Sequence, residues 1–293
     1  MDEQIGALTD LVAAGDVVVL TGAGMSTDSG IPDYRGPSGT LRQRLPMTYR
    51  EFVSDPVARQ RYWARSHLGW RHVADADPNP AHRAVATLER GGWLRATITQ
   101  NVDGLHQKAG SRDVIDLHGR LATVVCLGCG TRSSRDDLSL RLREANPDVD
   151  VETTTVAPDG DAELAAEVVE RFTVVDCRRC RDGVLKPDVV FFGENVPRDR
   201  VARCFAHLDG ARCLLVLGSS LTVMSGYRFV IHARKHDIPV AIVNRGTTRG
   251  DDDATVKIDA TLAEALPRLL DGLRSTDATA PTPGRDAGTV RSG

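Results

Sequence analysis

The chain lacks long hydrophobic runs and any excess of positive charge. No apolar stretch approaches the ~20 residues that a membrane-spanning helix requires, and the first residues, MDEQIGALTD, are acidic where a secretory signal is basic. Lysine and arginine total 37 against 40 aspartate and glutamate residues, a formal net charge of −3. These absences predict a cytoplasmic protein that enters no membrane and does not bind nucleic acid directly, although small basic patches stay possible.

A glycine-rich segment at 22–35, GAGMSTDSGIPDYR, lacks two features of the common dinucleotide fingerprint. That fingerprint has a third glycine where this chain has Thr27, and an acidic residue about 20 positions later at the end of the next strand. The segment follows the continuous apolar run 17–20, which predicts a strand buried on both faces. Gly22 and Gly24 would let the backbone approach a phosphate at a helix N-terminus, although such pairs also occur in turns without a ligand. We predict a dinucleotide or phosphate site without hydride-transfer architecture.

The remaining pattern predicts an α/β fold with a parallel sheet. The 293 residues, 41% of them hydrophobic, suffice for one large domain with an insertion or for two domains. Further strands are predicted at 96–99, 114–117, 213–217, 240–243 and 255–258, and helices at 2–14, 56–73, 80–90 and 261–270. The long segment between the first two strands favours a lid or second lobe, and the Ala-, Thr-, Pro- and Gly-rich C-terminal residues favour a disordered tail.

Polar residues follow several predicted strands. Gln100, Asn101 and Asp103 follow one strand and His118 another. The small or polar groups Gly218-Ser219-Ser220 and Asn244-Arg245-Gly246 follow two later strands. Because ligands of open α/β sheets bind at the carboxyl ends of the strands, these endings predict one crevice. Asn101 and Asp103 could hold ribose or a carboxamide, or only cap the next helix; His118 could be a general base or a structural residue.

Cysteine is scarce, yet four of the six form two CxxC pairs, Cys126 with Cys129 and Cys177 with Cys180. Four thiolates make a closed tetrahedral zinc site, which is structural because no coordination position is open. Two disulfides or a redox pair are the alternatives; a reducing compartment disfavours the first and the matched pairs disfavour the second. The stretch 130–176 between the pairs is longer than a minimal ribbon needs and predicts an insertion.

The run KPDVVFFGE at 186–194 predicts an extended segment between two lobes. Pro187 suits an edge strand, and an edge strand can pair with an extended peptide, whereas a plain core strand is the alternative. Val190, Phe191, Phe192 and Gly193 are therefore candidates for substrate binding.

Taken in order, GAGMSTDSGIPDYR, TQNVDGLH, the LHG around His118, both CxxC pairs, KPDVVFFGE, GSSL and VNRG resemble the motifs of sirtuins, the NAD-dependent protein lysine deacylases. The resemblance covers roughly residues 10–272. Within the family, YWAR at 62–65, PNPAH at 78–82 and the long insertion look most like the branch of the mitochondrial lipoamidase and ADP-ribosyltransferase.

The resemblance implies an α/β fold with a Rossmann-like doubly wound parallel sheet and a smaller zinc-ribbon and helical lobe. We expect a discontinuous NAD-binding domain at 1–35, 90–120 and 186–272, a helical module with a cofactor-binding loop at 36–89, and a zinc-ribbon module at 121–185. Composition adds a predicted disordered tail at 273–293. The implied reaction transfers the acyl group of an acyl-lysine protein or peptide to ADP-ribose with release of nicotinamide, so that NAD is consumed. Protein ADP-ribosylation and a non-catalytic NAD-binding module remain as alternatives, and one structural zinc is expected.

By the same resemblance His118 is the general base, and Asn101 and Asp103 are the other catalytic candidates. The implied NAD contacts are Gly22, Ala23, Gly24, Ile31, Asp33, Tyr34, Arg35, Gln100, Asn101, Asp103, Gly218, Ser219, Ser220, Asn244, Arg245, Gly246 and Leu262. Tyr62 and Arg65 resemble the pair that holds an acyl carboxylate in the desuccinylase branch, which predicts that acidic or bulky acyl groups are accepted. A surface or interdomain ion pair of Arg65 is the alternative. Tyr34 and Arg120 depart from residues common in the family.

Overall fold

The computed structural model describes residues 1–33, 46–149, 164 and 166–279. Tyr34 and Arg35, which the resemblance assigns to NAD, lie outside these residues, as do residues 150–163 and 165 of the insertion before the second cysteine pair. Within the described chain, no helix combines the length and the apolar composition needed to cross a membrane.

The strands are β1 (Val17–Thr21), β2 (Leu94–Thr99), β3 (Val114–Asp116), β4 (Gly119–Cys126), β5 (Arg132–Ser134), β6 (Leu185–Val189), β7 (Cys213–Leu217), β8 (Val240–Val243) and β9 (Val256–Ile258). The α-helices are α1 (Asp2–Ala13), α2 (Tyr49–Ser54), α3 (Pro56–Asp75), α4 (Pro80–Arg90), α5 (Leu105–Lys108), α6 (Arg135–Ala145), α7 (Ala166–Arg171), α8 (Arg198–Asp209), α9 (Met224–Lys235) and α10 (Leu262–Thr279).

Six strands form a parallel sheet in the order β3-β2-β1-β7-β8-β9. The strand order reverses between β1 and β7, and the crevice outside this reversal is where doubly wound sheets bind ligands. The sheet confirms the predicted Rossmann-like fold. It also brings the loops after β1 and β7 together, although nearly two hundred residues separate them in the chain.

Both faces of the large sheet are covered, which explains the continuous apolar runs. Val17 and Val19 of β1 belong to a core with α1, α4 and α10. Val18 and Leu20 point to the other face, into a core with α8 and α9. Alternate residues of one strand therefore enter separate cores, and so the run 17–20 is apolar throughout.

The smaller lobe contains a second sheet in the order β5-β4-β6, with antiparallel pairing. β6 lies at its edge and carries Pro187, so the predicted edge strand is confirmed. Because β6 pairs with β4 and not with the large sheet, the predicted start of the large domain at residue 186 is too early. The Trp63 indole of α3 donates to the carbonyl of Leu185 over 3.1 Å and so fixes the helical module to this sheet.

Helix ends follow local signals in α3 and α4. Both begin with proline, and the side chains of Asp55 and Asn79 cap their first N–H groups. The C-terminus differs from the prediction, because α10 continues to Thr279 through Pro267. The predicted tail from residue 273 therefore starts too early: Leu273 is fully buried and anchors the added turns in the core.

Candidate active site

A cavity of about 710 Å³ lies between the lobes, at the carboxyl edge of the large sheet. That volume falls within the range of small-molecule sites. The predicted residues that line it are Gly22, Ala23, Gly24, Ile31, Asp33, Tyr62, Gln100, Asn101, Asp103, His118, Val190, Phe191, Phe192, Gly193, Gly218, Ser219, Ser220, Asn244, Arg245 and Leu262. Strand endings that are remote in sequence thus converge on one site. Gly246 and Arg65 are not in this lining.

The glycines after β1 serve packing between two loops. A Cβ at Gly22 would lie 2.7 Å from the Cβ of Ser219, and one at Gly24 would lie 3.0 Å from the Gly218 carbonyl oxygen. Two single turns of 3₁₀ helix, Ala23–Met25 and Thr27–Ser29, follow in place of the expected helix N-terminus. The close contact with the β7 loop explains why side chains are absent at Gly22 and Gly24, and this contact shapes the cavity wall. The role of these glycines at a phosphate stays a prediction, and both residues line the cavity.

A hydrogen-bonded group of side chains joins the β1 and β2 loops. The Asn101 amide donates to the carbonyl of Gly22 and to Ser26 Oγ, each over 3.0 Å. The Ser26 hydroxyl donates to Asp103 Oδ2 over 2.7 Å, while Asp103 Oδ1 accepts the N–H of Leu105 over 2.9 Å. Asp103 therefore binds the first N–H of the next helix, as the capping interpretation predicts, and also holds the cavity wall. Its contact with a ribose or a carboxamide stays a prediction. Burial raises the pKa of Asp103, and these hydrogen bonds oppose the rise.

His118 lies in the cavity between two hydrogen-bond partners. Its Nδ1 is 2.8 Å from the carbonyl oxygen of Gln100, and its Nε2 is 2.8 Å from Ser225 Oγ. A carbonyl oxygen only accepts, so Nδ1 carries the proton and Nε2 of the neutral ring is the basic nitrogen, accepting the Ser225 hydroxyl. Burial lowers the pKa of His118, and the positive charges of Arg200 and Arg228 lower it further. The ring is therefore held neutral, in the state that a general base needs.

A buried relay of hydrogen bonds supports the β2 ending from below. His106 Nε2 donates to Thr21 Oγ1 over 3.0 Å, the Thr21 hydroxyl donates to Thr99 Oγ1 over 2.9 Å, and Thr99 Oγ1 accepts the N–H of Asn101 over 3.1 Å. Desolvation lowers the pKa of His106 to about 3 and that of neighbouring His82 to about 4. Both rings are therefore uncharged near neutral pH.

The candidate substrate residues form an aromatic wall. Phe191 packs on Tyr62 and Phe52, with ring centroids 5.3 and 5.1 Å apart. The N–H of Val190 donates to the carbonyl of His118 over 2.8 Å, which ties this wall to the base. Phe192 is 42% exposed, at the cavity rim. The segment therefore presents apolar surface next to the predicted base.

Arg65 does not share the cavity with Tyr62. The two residues lie only about 60° apart around α3. Even so, Tyr62 lines the cavity and Arg65 does not. The Nε of Arg65 is buried and has no hydrogen-bond partner in the part of the chain that the structure describes. In the described chain, the geometry does not support Arg65 as a group that holds an acyl carboxylate.

Sequence reasoning missed several lining residues with polar side chains, among them Ser26, Ser225 and Arg228. Ser26 lies within the glycine-rich segment, where its contact with Asp103 had no local signal. Ser225 and Arg228 lie on the first turns of α9, which only the fold brings to His118. An apolar helix pattern alone could not have identified them.

The four predicted zinc ligands form a second candidate site, in the small lobe. Cys126 Sγ lies 3.5 Å from Cys180 Sγ, and Cys129 Sγ lies 3.8 Å from Cys177 Sγ. A tetrahedron with bonds of 2.3 Å to sulfur has edges of about 3.8 Å, which matches these separations. A Cβ at Gly183 would collide with the sulfur of Cys126, so this glycine leaves the sulfurs room to converge. The donor set fits one structural zinc ion.

The comparisons with known proteins agree with this geometry. The protein-family model described as "Sir2 family" matches residues 22–225 of the sequence. The chain belongs to the Sir2 family. It is 55% identical to "NAD-dependent protein deacetylase 1" of Streptomyces coelicolor, over 94% of this chain and 92% of that protein. The protein of the same name from Mycobacterium avium is also 55% identical, over 91% of this chain and 94% of that protein.

Solved Sir2 structures share the fold. One described as "Structural Basis for the Mechanism and Regulation of Sir2 Enzymes" has a TM-score of 0.74 and 30% identity, over 94% of this chain and 100% of the other. One described as "Sir2-p53 peptide-NAD+" has a TM-score of 0.71 and 32% identity, over 90% of this chain and 96% of the other. The sirtuin resemblance of the motifs is therefore confirmed at the level of the family.

Proposed function

We propose that this chain is an NAD-dependent protein lysine deacetylase. The observation that carries the proposal is His118, held with a basic Nε2 in a cavity that the β1, β2, β7 and β8 endings share, in a chain of the Sir2 family. Its relatives are named NAD-dependent protein deacetylases, and one related structure is described as a complex with a peptide and NAD⁺. The reaction combines acetyl-lysine, NAD and water to give lysine, nicotinamide and O-acetyl-ADP-ribose.

The cavity residues divide the work between binding and proton transfer. NAD would lie along the β1, β7 and β8 loops, with Leu262 and Arg245 at one end and Asn101 and Asp103 near the bond to nicotinamide. Fixed amide and carboxylate dipoles of this kind stabilise a positive sugar in a site that excludes water. His118 Nε2 would accept the proton of a ribose hydroxyl as that oxygen attacks the acyl carbon.

Four cysteines would hold zinc and keep the small lobe folded. A closed set of sulfur ligands leaves no position for substrate, so zinc supplies structure and takes no part in acyl transfer. The lobe carries β6 and the wall around Phe191, and the shape of the substrate side depends on it. We include a cytoplasmic location in the proposal, because four zinc-binding cysteines and two further thiols suit a reducing compartment.

Acetyl-lysine is the acyl substrate that the relatives' names favour. The expected likeness to the lipoamidase and ADP-ribosyltransferase branch has no support in the comparisons, whose named relatives are bacterial deacetylases. The aromatic wall of Tyr62 and Phe191 suits an uncharged acyl group, and Arg65 lies outside the lining. We therefore propose that acetyl is preferred to acidic acyl groups.

Nicotinamide release tests this function. The protein with NAD is incubated with an acetyl-lysine peptide and, as the matched control, with the same peptide carrying unmodified lysine. We expect release only with the acetylated peptide. A rise in absorbance from reduced nicotinamide would instead indicate a dehydrogenase, and NAD binding without any release would indicate a binding module.

A further inference from the structure

Two arginines lie near His118, one in the cavity lining and one outside it. Arg228 of α9 lines the cavity, one turn after Met224. Arg200 of α8 donates from Nη1 to the carbonyl of Leu117, the residue before His118, over 3.2 Å. Their charges act on His118, where both lower the pKa of the ring. We call these two side chains the arginine pair.

Neither arginine forms an ion pair with a carboxylate among the described residues, although the charge of Arg200 acts on Asp116. Within the same part of the chain, the guanidinium of Arg228 has one long hydrogen bond, from Nε to the carbonyl of Met224 over 3.5 Å. Nearby carboxylates are already paired: Glu194 lies 3.0 Å from Lys186, and Asp116 lies 2.7 Å from Arg120. Positive charge is therefore left over near His118, on a chain whose net charge is −3.

The cavity rim carries exposed apolar side chains from both lobes. Phe192 is 42% exposed, Val223 is 44% exposed and Met224 is 46% exposed, and all three line the cavity. Large apolar groups at a rim, next to the base, suit the backbone and side chains that flank the reacting residue of a substrate. Asn195 and Val196 continue the lining toward the start of α8, which carries Arg200.

We propose that the arginine pair selects acyl-lysine sites whose neighbouring residues in the substrate protein are acidic. Arginine binds carboxylates through paired N–H donors, and part-buried positions strengthen such contacts relative to open surface. The inference rests on the proposed deacetylase function and adds the charge of the protein substrate to it. The occupant is a stretch of acidic protein on either side of the acetyl-lysine.

The test uses three acetyl-lysine peptides that differ only within two residues of the lysine, where they carry aspartate, asparagine or lysine. We expect kcat/KM to be roughly three- to tenfold higher for the aspartate than for the asparagine peptide, mainly through KM, and lowest for the lysine peptide. Raising the salt concentration to about 0.5 M should shrink this preference.

Variants assign the preference to particular residues. In Arg228→Gln and Arg200→Gln, the ratio of kcat/KM for the aspartate peptide to kcat/KM for the asparagine peptide should fall toward one. Because both peptides undergo the same reaction, any effect of the substitution on the chemical step cancels in this ratio. Arg212→Gln is the matched control, because Arg212 is exposed at the opposite edge of the sheet, before β7. That variant should keep the parent ratio. An unchanged ratio in both arginine-pair variants would overturn the proposal.

Two further arms separate other outcomes. Affinities of fluorescent versions of the peptides, measured with NAD present, report peptide binding without turnover. Tighter binding of the aspartate peptide supports the proposal even if no peptide is deacetylated. Absence of deacetylation would defeat the deacetylase function alone. Equal affinities and equal kcat/KM would defeat the docking proposal alone. The carboxylate that Arg228 binds could also belong to the acyl group, and an asparagine peptide that carries succinyl-lysine tests this case. If Arg228→Gln lowers turnover of the succinyl peptide alone, Arg228 contacts the acyl group and the proposal is wrong.

Discussion

The cysteine centre and the main cavity are built in opposite ways. In the centre each CxxC pair brings two sulfurs together within one short turn, and the backbone N–H of Cys129 already points at the sulfur of Cys126 over 3.5 Å. In the cavity the functional side chains come from several strand endings and from α9, and their partners are remote in sequence. Asn101 binds the β1 loop, and His118 binds Gln100 and Ser225.

This difference predicts different responses to damage. The centre depends on one ion, so loss of a single ligand should unfold the lobe around it. The cavity is held by many separate hydrogen bonds of roughly 1 kcal/mol each, so most single changes there should alter chemistry more than folding. The variants and conditions below test that contrast.

Loss of a zinc ligand should have the largest effect. Structural zinc binds with an apparent free energy of about 10–16 kcal/mol, and Cys126→Ser removes one of four ligands. We expect the metal content to fall from one zinc per chain toward none, with loss of activity and a lower melting temperature. Cys204→Ala is the control, a buried cysteine outside the centre that should keep zinc. Full zinc content and unchanged melting in Cys126→Ser would refute the assignment.

His118→Ala should abolish chemistry while sparing the fold. Removal of a general base typically costs 10² or more in rate, and we expect product formation to fall by about that factor with NAD affinity retained. Steady-state rates and NAD titrations measure the two quantities. Exposed His236, at the far end of α9, provides the control variant His236→Ala. Parent-like turnover by His118→Ala would show that another group is the base.

Acid should destabilise the fold through the two buried histidines, His106 and His82, that lie behind the β2 ending. The folded protein keeps His106 and His82 neutral down to a pKa of about 3 and about 4, whereas in the unfolded chain both take up protons below about 6.5. The contribution of these histidines to the free energy of unfolding is therefore fully present above pH 6.5. It declines as the pH falls below this value, by about 1.4 kcal/mol for each histidine and each pH unit. Urea unfolding at pH 7.5 and 5.5 should show a loss of about 3 kcal/mol for the pair.

The variant His106→Gln keeps a side-chain N–H for Thr21 but cannot take up a proton. Its unfolding free energy should depend less steeply on pH than that of the parent. Equal stability of the parent at both pH values, or an identical slope in the variant, would contradict the account of the buried histidines.

Ser225→Ala should have a moderate effect on rate. The hydroxyl holds Nε2 of His118 in position until a substrate hydroxyl replaces it, and one neutral hydrogen bond corresponds to roughly a two- to tenfold change. We expect kcat to fall within that range with little change in the KM for NAD, and Ser225→Thr to retain most activity. A change confined to KM would mean that Ser225 binds substrate and does not orient the base.

Arg65→Met should have the smallest effect on selectivity. Because Arg65 is not in the cavity lining, the relative rates on acetyl, succinyl, glutaryl and lipoyl peptides should match those of the parent. Tyr62→Ala, which opens the aromatic wall, serves as the positive control for altered preference. A selective loss of succinyl and glutaryl turnover in Arg65→Met would restore the carboxylate-binding role that the motif suggested.

Signals within a few residues of one another were sufficient for part of this structure. The cysteine pairs, the apolar runs of β1, β7 and β8, and the helix starts at Pro56 and Pro80 were all predictable because each depends on its neighbours in sequence. The edge position of β6 also followed from one residue, Pro187.

Features that depend on remote partners were not predictable. The packing of the glycines after β1 against Gly218 and Ser219 had no local signal, because the β7 loop is remote in sequence. Ser225 reaches His118 only because α9 follows the strand beside β1. The continuation of α10 past residue 273 depends on burial of Leu273 against the core, which outweighs the composition of that stretch.

Product analysis tests most directly the claim that the shared cavity performs NAD-dependent deacetylation with His118 as its base. Mass spectrometry of a reaction with acetyl-lysine peptide and NAD should show lysine peptide, nicotinamide and O-acetyl-ADP-ribose in equal amounts, and only traces of all three with His118→Ala. A protein or peptide that gains the mass of ADP-ribose while the acetyl group stays on lysine would contradict the account.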